Sequence, residues 1–357
     1  MKVFFVIRGL HDSGGVERVT SVLANRLAED NYDMGIVRLQ KGSPFFPVSP
    51  KVKLFYLSDE KTNSFLPKRF KRKNKLRNLY RREKPDIVIF VGSHRSLLNL
   101  PAAAGIPNIT WEHFNAHVNW HPLHKISRRL AVKRSTRIVT LTHQDVENYI
   151  ELFDAKNVVC IPNPITIDKI EPSPLTEKRV LAVGRLASQK GFDLLLYAWQ
   201  KTKSRRNGWK LRIVGSGRHL KDLNRQIEAN DIKDSVEIFP ATKDILSHYK
   251  QASIYAMSSR YEGLPLVLIE AMAAGLPILS FDCQTGPAEV VENNKTGLLV
   301  PALNVDKLAE AMDKLMEDED LRKEFSENSL KGVGRFSIEN VVTLWKNLFE
   351  EIISETK

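Results

Sequence analysis

The chain has 357 residues, enough for two domains, and it is 42% apolar and 27% charged, as in ordinary soluble α/β proteins. Its two cysteines, Cys160 and Cys283, exclude a disulfide-rich scaffold and fit a reducing compartment. No apolar run approaches the roughly 20 residues of a membrane-spanning helix, so we expect a soluble or membrane-peripheral protein.

The positive charge is concentrated in the first half. Residues 1–165 contain 27 Lys and Arg against 14 Asp and Glu, a net charge of +13, whereas the rest of the chain has a net charge of −1. Residues 67–84 alone hold ten basic residues and one acidic residue, and a second basic segment is Lys125–Arg137. Four apolar residues recur within the first segment at roughly helical spacing: Phe70, Leu76, Leu79 and Tyr80.

A basic amphipathic helix of this kind is attracted to anionic lipid head groups, by about 1 kcal/mol per Lys or Arg near the surface. We therefore predict that the first domain faces an anionic membrane surface. A nucleic-acid surface is an alternative, although no recognised nucleic-acid motif accompanies the charge. A merely solvated face is the other alternative.

The chain opens with a β-α-β pattern. A buried strand is predicted over Val3–Ile7, a helix over Val16–Ala28 and a strand over Met34–Leu39. This is the start of a Rossmann-like unit, which binds ligands at the carboxyl ends of its strands. The glycines 14 and 15 either let the backbone approach a ligand at the helix start or form a plain tight turn. The G-x-G-x-x-G fingerprint is absent, which argues against a nicotinamide cofactor.

The remainder of the first half continues this pattern. Its further predicted elements are the strand Asp86–Val91, a helix over Ser96–Ala103, the strand Ile109–His113 ending in the pair Glu112-His113, the strand Arg137–Leu141, a helix from Gln144 and the strand Val158–Ile161. Four histidines fall within twelve residues: His113, His117, His121 and His124. Their spacing matches no H-E-x-x-H pattern and no cysteine joins them, so pocket or surface histidines are favoured over a zinc site.

A proline-rich break at 161–174 marks the predicted domain boundary. After it the strands resume over Arg179–Val183, Leu211–Val214, Val236–Phe239, Ile254–Met257 and Ile278–Phe281. Repeated β-α alternation predicts parallel sheets covered on both faces, here two doubly wound halves with a cleft between them. The predicted domains are residues 1–165, residues 166–337 and a final helical segment, 338–357, that packs across the domain junction.

Two loops of the second half carry candidate ligand-binding residues. The loop Gly184–Gly191 follows a strand and contains Arg185 and Lys190. The planar guanidinium of Arg185 and the mobile ammonium of Lys190 suit the two phosphates of a diphosphate. The loop lacks the Walker glycines of a P-loop. The alternative is a pair of ordinary surface cations. Because the loop lies at the carboxyl edge of the same sheet as Glu262 and Glu270, we favour a site.

The segment Ser258–Gly275 is predicted to form a loop and then a helix over Leu266–Ala274. Glu262 lies in the loop and Glu270 in the helix. A helix start binds phosphate or sugar oxygens, and carboxylates accept hydrogen bonds from hydroxyls, so a nucleotide sugar suits this arrangement. The alternative is that both carboxylates are merely solvated. Phe239 ends a neighbouring strand, where a base could stack.

Five motifs resemble, in order, those of the family-4 retaining glycosyltransferases of the GT-B fold. They are Gly14-Gly15, Glu112-His113, Pro162-Asn163-Pro164, G-R-L-x3-K-G from Gly184 and E-x7-E at Glu262 and Glu270. The resemblance covers the chain from end to end and implies the GT-B architecture, two Rossmann-like α/β domains facing a central cleft. The segment Thr285–Glu289 further resembles members that use UDP-galactose or UDP-N-acetylhexosamines in bacterial surface-polysaccharide assembly.

The resemblance also implies roles for single residues. Arg185 and Lys190 hold the donor diphosphate and neutralise it as it leaves. Glu262 contacts hydroxyls of the donor sugar, with the amides of Gly263 and Leu264 nearby, and Glu270 holds the ribose. His113 approaches the donor sugar, and Gly15 abuts the phosphates or the acceptor. We expect retention by same-face attack, with no catalytic nucleophile, no cofactor and no required metal; the D-x-D at Asp318 to Asp320 is interpreted as a solvated turn.

The implied reaction moves a hexose or N-acetylhexosamine (Gal, GalNAc, Glc or GlcNAc) from a UDP-sugar to a saccharide on a polyprenyl diphosphate, in O-antigen, lipopolysaccharide or capsule synthesis. We expect a cytoplasmic protein, peripheral to the inner face of the inner membrane, that does not bind nucleic acid. The alternatives are a GT-B enzyme that does not transfer, such as a nucleotide-sugar epimerase, and a basic protein that only binds nucleotide or nucleic acid.

Overall fold

A computed structural model describes residues 1–57, 66–93, 100–118, 123–167 and 170–356. The chain forms two compact units. The first comprises residues 1–166 together with 338–357, and the second comprises residues 167–337. Each unit contains one parallel sheet whose strands alternate with helices.

The first unit has seven strands within its described residues, in the order β3-β2-β1-β4-β5-β6-β7. The strands are β1 (Lys2–Ile7), β2 (Asp33–Arg38), β3 (Lys53–Tyr56), β4 (Ile87–Val91), β5 (Asn108–Trp111), β6 (Arg137–Thr140) and β7 (Val158–Cys160). The helices are α1 (Gly15–Glu29), α2 (Leu66–Glu83), α3 (Leu123–Arg134), α4 (His143–Phe153) and, at the end of the chain, α12 (Ile338–Thr356). The continuous apolar runs of β1 and β4 are buried, as expected for parallel strands covered on both faces.

The apolar face of the basic helix α2 packs into the core and is not available to a membrane. Leu76, Leu79 and Tyr80 are buried among the side chains of the first unit. Phe70 lies outside the side chains that the structure describes. The expectation of a lipid-facing amphipathic helix is therefore corrected for the described side chains of α2, because the apolar stripe is buried in the domain and the exposed side chains are polar or charged: Asn74, Lys75, Asn78, Arg81 and Arg82.

The second basic segment is also only partly exposed. Arg128 is 3% exposed, and Arg137 is held by Glu351 and Glu355 at 2.6 and 2.5 Å. Lys125, Arg129 and two further cations of α3 are exposed. The sequence pattern overestimated the free positive charge, because these two arginines have carboxylate partners that are distant in sequence.

The final helix α12 belongs to the first unit. Trp345 meets Trp111 of β5 edge to face, with ring centroids 5.1 Å apart, and Lys346 pairs with Asp30 at 2.5 Å. Trp345 and Phe349 are fully buried. The last helix therefore completes a core that the first 166 residues begin.

In its described part, residues 167 and 170–337, the second unit has six strands, in the order β10-β9-β8-β11-β12-β13. They are β8 (Arg179–Val183), β9 (Lys210–Val214), β10 (Val236–Phe239), β11 (Ile254–Met257), β12 (Ile278–Asp282) and β13 (Gly297–Pro301). The helices are α5 (Phe192–Lys201), α6 (Leu220–Ala229), α7 (Ile245–Lys250), α8 (Leu266–Ala273), α9 (Pro287–Val290), α10 (Val305–Glu317) and α11 (Glu319–Gly332).

The predicted fold class, two doubly wound parallel α/β halves, is confirmed. Two edge strands, β3 and β13, were not predicted: β3 is short and of mixed polarity, and β13 is a short apolar run that contains Gly and Pro, which both weaken the strand signal. The first half of the helix predicted over Ser96–Ala103 lies outside the described residues, and in the second half Leu100–Ala102 form a 3₁₀ turn. Within the described residues, none of the helices combines the length and apolar character needed to cross a bilayer.

Candidate functional site

The candidate site of the second unit lies where the strand order reverses. β8 is flanked by β9 and β11, so the chain runs outward from β8 in one direction and from β11 in the other. In doubly wound sheets, ligands bind at this switch point, outside the carboxyl ends of the strands. The two loops that leave these ends are 184–191 and 258–265, the same loops that the sequence singled out.

Lys190 and Glu262 meet between these loops. The Lys190 Nζ lies 2.7 Å from Glu262 Oε1, and the Glu262 side chain is 8% exposed. Gln189 donates to the carbonyl oxygen of Tyr261 at 3.1 Å and approaches Glu262 Oε2 at 3.5 Å. A nearly buried carboxylate with a neighbouring ammonium is a preorganised pair that can receive sugar hydroxyls on one side and phosphate oxygens on the other.

Gly191 allows the two loops to approach each other closely. Its φ is +62°, and a Cβ built there would lie 2.0 Å from the carbonyl oxygen of Ser258. Any other residue would be strained by both the backbone conformation and the contact. The glycine that follows Lys190 in the motif is thus explained by its close packing against the loop that contains Glu262.

Arg185 and the amides after Glu262 are available for a ligand. Arg185 is exposed, and its guanidinium has no ion pair or hydrogen bond within the described part of the chain. The amides of Gly263 and Leu264 likewise donate no hydrogen bond to any described residue. Pro265 precedes α8 and supplies no side-chain cap. These donors fit the predicted diphosphate and sugar contacts, which stay predictions.

Glu270 is held inside the unit. It is 2% exposed, and its Oε2 accepts a hydrogen bond of 2.9 Å from the Tyr249 hydroxyl. The Tyr249 ring stacks on Tyr255 with centroids 6.1 Å apart. Burial raises the pKa of Tyr255 well above its usual value, and the nearby carboxylates of Glu270 and Glu262 act in the same direction. The proposed contact between Glu270 and a ribose stays a prediction.

Phe239 ends β10 at the same edge of the sheet, but its ring has neighbours that the sequence did not indicate. The Arg212 guanidinium lies 4.5 Å from the ring centroid, and the His248 ring meets it edge to face at 5.4 Å. Arg212 also forms a double hydrogen bond to Glu237. A base that stacks on Phe239 would need a part of the ring that Arg212 and His248 leave accessible.

In the first unit, Gly15 and His113 each follow a strand of the sheet. Gly15 is the first residue of α1, is exposed, and comes after the loop that leaves β1 next to that sheet's own switch point. His113 lies two residues after the end of β5 and is 7% exposed, and its ring packs on Trp111 with centroids 4.3 Å apart. Both residues thus lie at the carboxyl edge of the sheet, where doubly wound folds bind ligands. Their proposed contacts with the donor sugar, the phosphates or the acceptor stay predictions.

Glu112 anchors the segment around His113. Its Oε1 accepts hydrogen bonds from the amides of His113 and Phe114 at 3.1 and 3.3 Å. Its Oε2 accepts hydrogen bonds from Ser93 and, at 3.0 Å, from the Tyr149 hydroxyl. The two residues of the Glu112-His113 motif therefore have different roles. The Glu112 carboxylate fixes the backbone of His113 and so positions its imidazole.

Arg128 completes this buried network. Its Nε lies 3.4 Å from Glu112 Oε2, and its other nitrogens donate to the carbonyl oxygens of Asn115, Ala116 and Val118 at 2.7 to 3.1 Å. Burial lowers the pKa of Arg128, but the adjacent Glu112 carboxylate more than compensates and leaves it above the usual value. In its charged form, Arg128 thus holds the carbonyl groups of three residues in the short segment 115–118 that follows His113.

The histidine cluster forms no metal site within the described residues. No group of three or more His, Cys, Asp or Glu side chains there is placed to hold a metal ion. The His117 Nε2 lies 3.2 Å from Asn148 Oδ1, and His121 lies outside the described residues. Asp318 of the D-x-D caps α11 by accepting a hydrogen bond from the Leu321 amide at 2.8 Å.

Several contacts of the site were not predicted from the sequence. They involve Gln189, Arg260, Asp193, Tyr249, Thr285 and Arg128. Thr285, for example, donates to the carbonyl oxygen of Glu262 at 2.9 Å from a backbone with φ +59°. The available signal was proximity to the motifs: Gln189 and Arg260 each lie within two residues of a predicted ligand-binding side chain.

Comparison with known protein families gives two matches that together cover most of the chain. Residues 165–332 match the family described as glycosyl transferases group 1, and residues 13–169 match the family described as glycosyltransferase family 4. An uncharacterized glycosyltransferase of Haemophilus influenzae is 35% identical over 97% of this chain and 99% of its own. An N-acetyl-D-galactosaminyltransferase of Campylobacter jejuni, named for a PP-undecaprenol-linked GalNAc acceptor, is 27% identical over 99% of both chains.

The fold also has close structural neighbours. The crystal structure of HepE from Anabaena in complex with UDP superposes with a TM-score of 0.84, covering 98% of this chain and 100% of that one, at 17% sequence identity. At this identity the likeness concerns the fold alone.

Proposed function

Because the chain belongs to the family-4 glycosyltransferases of the GT-B fold, we propose that it transfers a hexose or N-acetylhexosamine from a UDP-sugar, with retention of configuration, to a lipid-linked saccharide. The observation that carries the proposal is the pairing of Lys190 with the nearly buried Glu262 at the switch point of the second sheet. A ligand with phosphates and hydroxyls satisfies both groups at once. UDP is proposed as the nucleotide because the segment Thr285–Glu289 resembles that of family members that use UDP-sugars.

In the proposed mechanism, positively charged side chains are already in position beside the donor diphosphate before the reaction begins. Lys190 and Arg185 neutralise the diphosphate as the bond to the anomeric carbon breaks, and such preorganised electrostatic stabilisation is usually the largest catalytic term. Glu262 orients the sugar through its hydroxyls. The acceptor hydroxyl attacks from the face that the nucleotide leaves and gives its proton to a phosphate oxygen. Neither a protein nucleophile nor a metal ion is part of this proposal.

The donor contacts proposed for the second unit are Arg185, Lys190, Phe239, Glu262, Gly263, Leu264 and Glu270. His113 and Gly15 belong to the first unit, and their proposed roles rest on the resemblance alone.

The proposed acceptor is a saccharide carried on a polyprenyl diphosphate, in the synthesis of a cell-surface polysaccharide. The name of the Campylobacter jejuni relative, which specifies such an acceptor, supports this proposal. The charge of the first half, +13 over residues 1–165, suits an anionic membrane surface. We propose that the protein docks peripherally on the cytoplasmic face of the membrane.

The docking proposal predicts that one row of cations on α3 controls membrane binding. Lys125, Arg129 and Lys133 are exposed and lie four residues apart, and Leu123 and Ile126 beside them are exposed apolar residues. Replacing the three cations by Gln should weaken binding to phosphatidylglycerol-containing vesicles about 100-fold, since each cation contributes about 1 kcal/mol. Vesicle co-sedimentation measures this.

The matched control replaces three exposed lysines of the second unit by Gln, at Lys314, Lys323 and Lys331. It changes net charge by the same amount and should retain most of the binding. Equal losses in both triple variants would contradict docking through α3 and indicate a response to net charge alone.

The proposed reaction is tested with the purified protein and a panel of UDP-, GDP- and ADP-sugars, with and without a polyprenyl-diphosphate saccharide and with EDTA present. We expect nucleoside diphosphate release from one UDP-sugar that depends on the acceptor and survives EDTA. Release without acceptor, with an altered sugar, would favour an epimerase. Loss of release in EDTA would refute metal independence, and release from no donor would contradict the transferase proposal.

A further inference from the structure

Arg260 joins the two loops that carry Lys190 and Glu262. Its Nη1 and Nη2 donate to the two carboxylate oxygens of Asp193 at 2.8 and 2.6 Å, and Nη1 also donates to the carbonyl oxygen of Ser188 at 2.7 Å. Its backbone amide donates to the carbonyl oxygen of Gln189 at 2.8 Å. One residue of the Glu262 loop therefore holds two segments: the 3₁₀ turn Ser188–Lys190, through the carbonyl oxygens of Ser188 and Gln189, and the first turn of α5, through Asp193.

Other contacts fix the same pair of segments, 188–193 and 258–262. The Ser258 hydroxyl donates to the carbonyl oxygen of Lys190 at 3.1 Å, and the Gln189 side chain donates to the carbonyl oxygen of Tyr261 at 3.1 Å. Gly191 allows the close approach. The bonds of Arg260 differ from these because they are charge-assisted and double, the kind of bond that fixes geometry most strongly.

We propose that Arg260 is a positioning residue: by clamping segment 188–193 to segment 258–262, it sets the distance between the Lys190 ammonium and the Glu262 carboxylate. It would thereby align the group that binds the diphosphate with the group that binds the sugar hydroxyls. This inference rests on the proposed function. Arg260 itself is not proposed to touch the substrate.

If Arg260 only stabilised the fold, its removal would mainly lower the melting temperature, and the exposure of the pair argues against that. The side chains of Arg260 and Asp193 are 29% and 41% exposed, and partly exposed ion pairs contribute little to the stability of a fold. Asp193 also retains its favourable place in the first turn of α5, whatever residue stands at 260. Removing the clamp should therefore change ligand binding and turnover while leaving the melting temperature nearly unchanged.

The experiment compares Arg260→Met with the wild-type protein and with Arg225→Met. Arg225 is an exposed arginine of the same unit that pairs with Asp222 at 3.2 Å, so this control loses an Arg-Asp pair outside the two loops. Calorimetry with UMP, UDP and UDP-glucose, and turnover with the donor that the wild type uses, are the readouts. UMP reports on the nucleoside side, whereas UDP and UDP-glucose need the aligned loops.

For Arg260→Met we expect kcat/KM to fall about 10- to 100-fold, since displacements of about 1 Å at a site have such effects. UDP and UDP-glucose should bind about tenfold more weakly, because the loops are no longer preorganised, while UMP affinity stays within about twofold. Arg225→Met should match the wild type in every readout. Asp193→Asn weakens the same double hydrogen bond by changing the acceptor, so it should cause the same losses of turnover and of UDP binding. It replaces Arg260→Met in the experiment if that variant does not fold.

Unchanged turnover and UDP binding in Arg260→Met would overturn the inference. An equal loss of UMP and UDP binding would also overturn it, since that pattern indicates general damage to the unit. If the wild-type protein itself binds no uridine nucleotide, the proposed function fails, and the inference falls with it.

Discussion

Replacing Lys190 by Ala is expected to lower kcat/KM for sugar transfer about 100- to 1,000-fold, the usual effect of removing one preorganised group that stabilises transition-state charge. The ammonium lies 2.7 Å from Glu262 at the switch point, where the leaving diphosphate is proposed to lie. The loss should appear mainly in kcat, because the charge on the leaving group grows as the bond breaks. Steady-state kinetics with the donor found in the panel measures it.

The control is Lys201→Ala, which removes an exposed lysine of the same unit that pairs with Asp306. It should transfer at the wild-type rate. A Lys190→Ala enzyme with unchanged kcat/KM would remove this residue from the mechanism.

Lys190 and Glu262 should also act as a unit. Because the two side chains are paired, Glu262→Gln removes an interaction that Lys190→Ala has already broken. Each residue also has its own proposed contact with the substrate, so the double variant should be slower than either single variant but faster than the product of the two losses. If the two losses simply multiplied, the two residues would be acting independently.

Replacing Arg128 by Met is expected to lower the free energy of unfolding by about 3–5 kcal/mol, because it leaves the Glu112 carboxylate buried without its cationic neighbour. It also removes the donor to the carbonyl oxygens of Asn115, Ala116 and Val118. The loss should be measurable by denaturant titration as a lower midpoint with a similar slope.

The next residue on the same helix is the control for this prediction. Arg129 is exposed, so Arg129→Met should change the free energy of unfolding by no more than about 0.5 kcal/mol. Adding Glu112→Gln to Arg128→Met should restore part of the stability, because a neutral amide is cheaper to bury than an unpaired carboxylate. Equal stabilities of the Arg128 and Arg129 variants would show that the buried network contributes nothing measurable.

The repeating parts of the fold were predictable from the sequence. Val3–Ile7 and Ile87–Val91 are apolar runs of strand length, and repeated β-α alternation favours a parallel sheet with helices on both faces. Because parallel strands share one carboxyl edge, Lys190 and Glu262 were expected at the same edge although 72 residues separate them. That prediction required only the order of strands and helices along the chain, which the pattern of apolar residues indicates.

The arrangement of charged side chains was much less predictable. Arg128 and Arg129 are adjacent in a basic segment, yet one is buried against Glu112 and the other is exposed. Likewise, Arg260 forms its pair with Asp193, 67 residues away. Partners of this kind are set by the packing of helices and loops in three dimensions, and neither residue type nor spacing along the chain specifies them. The same holds for the guanidinium of Arg212 on Phe239.

The place of α12 in the first unit has a consequence for biosynthesis. The ribosome completes residues 1–166 long before it makes Trp345 and Phe349, which fill part of that unit's core. At about 5–20 residues per second, the nascent first unit waits roughly 10–40 s with the surface around Trp111 uncovered. The contiguous second unit is free to fold during that time. The nascent chain thus exposes an apolar surface until α12, which is made after the whole second unit, covers it.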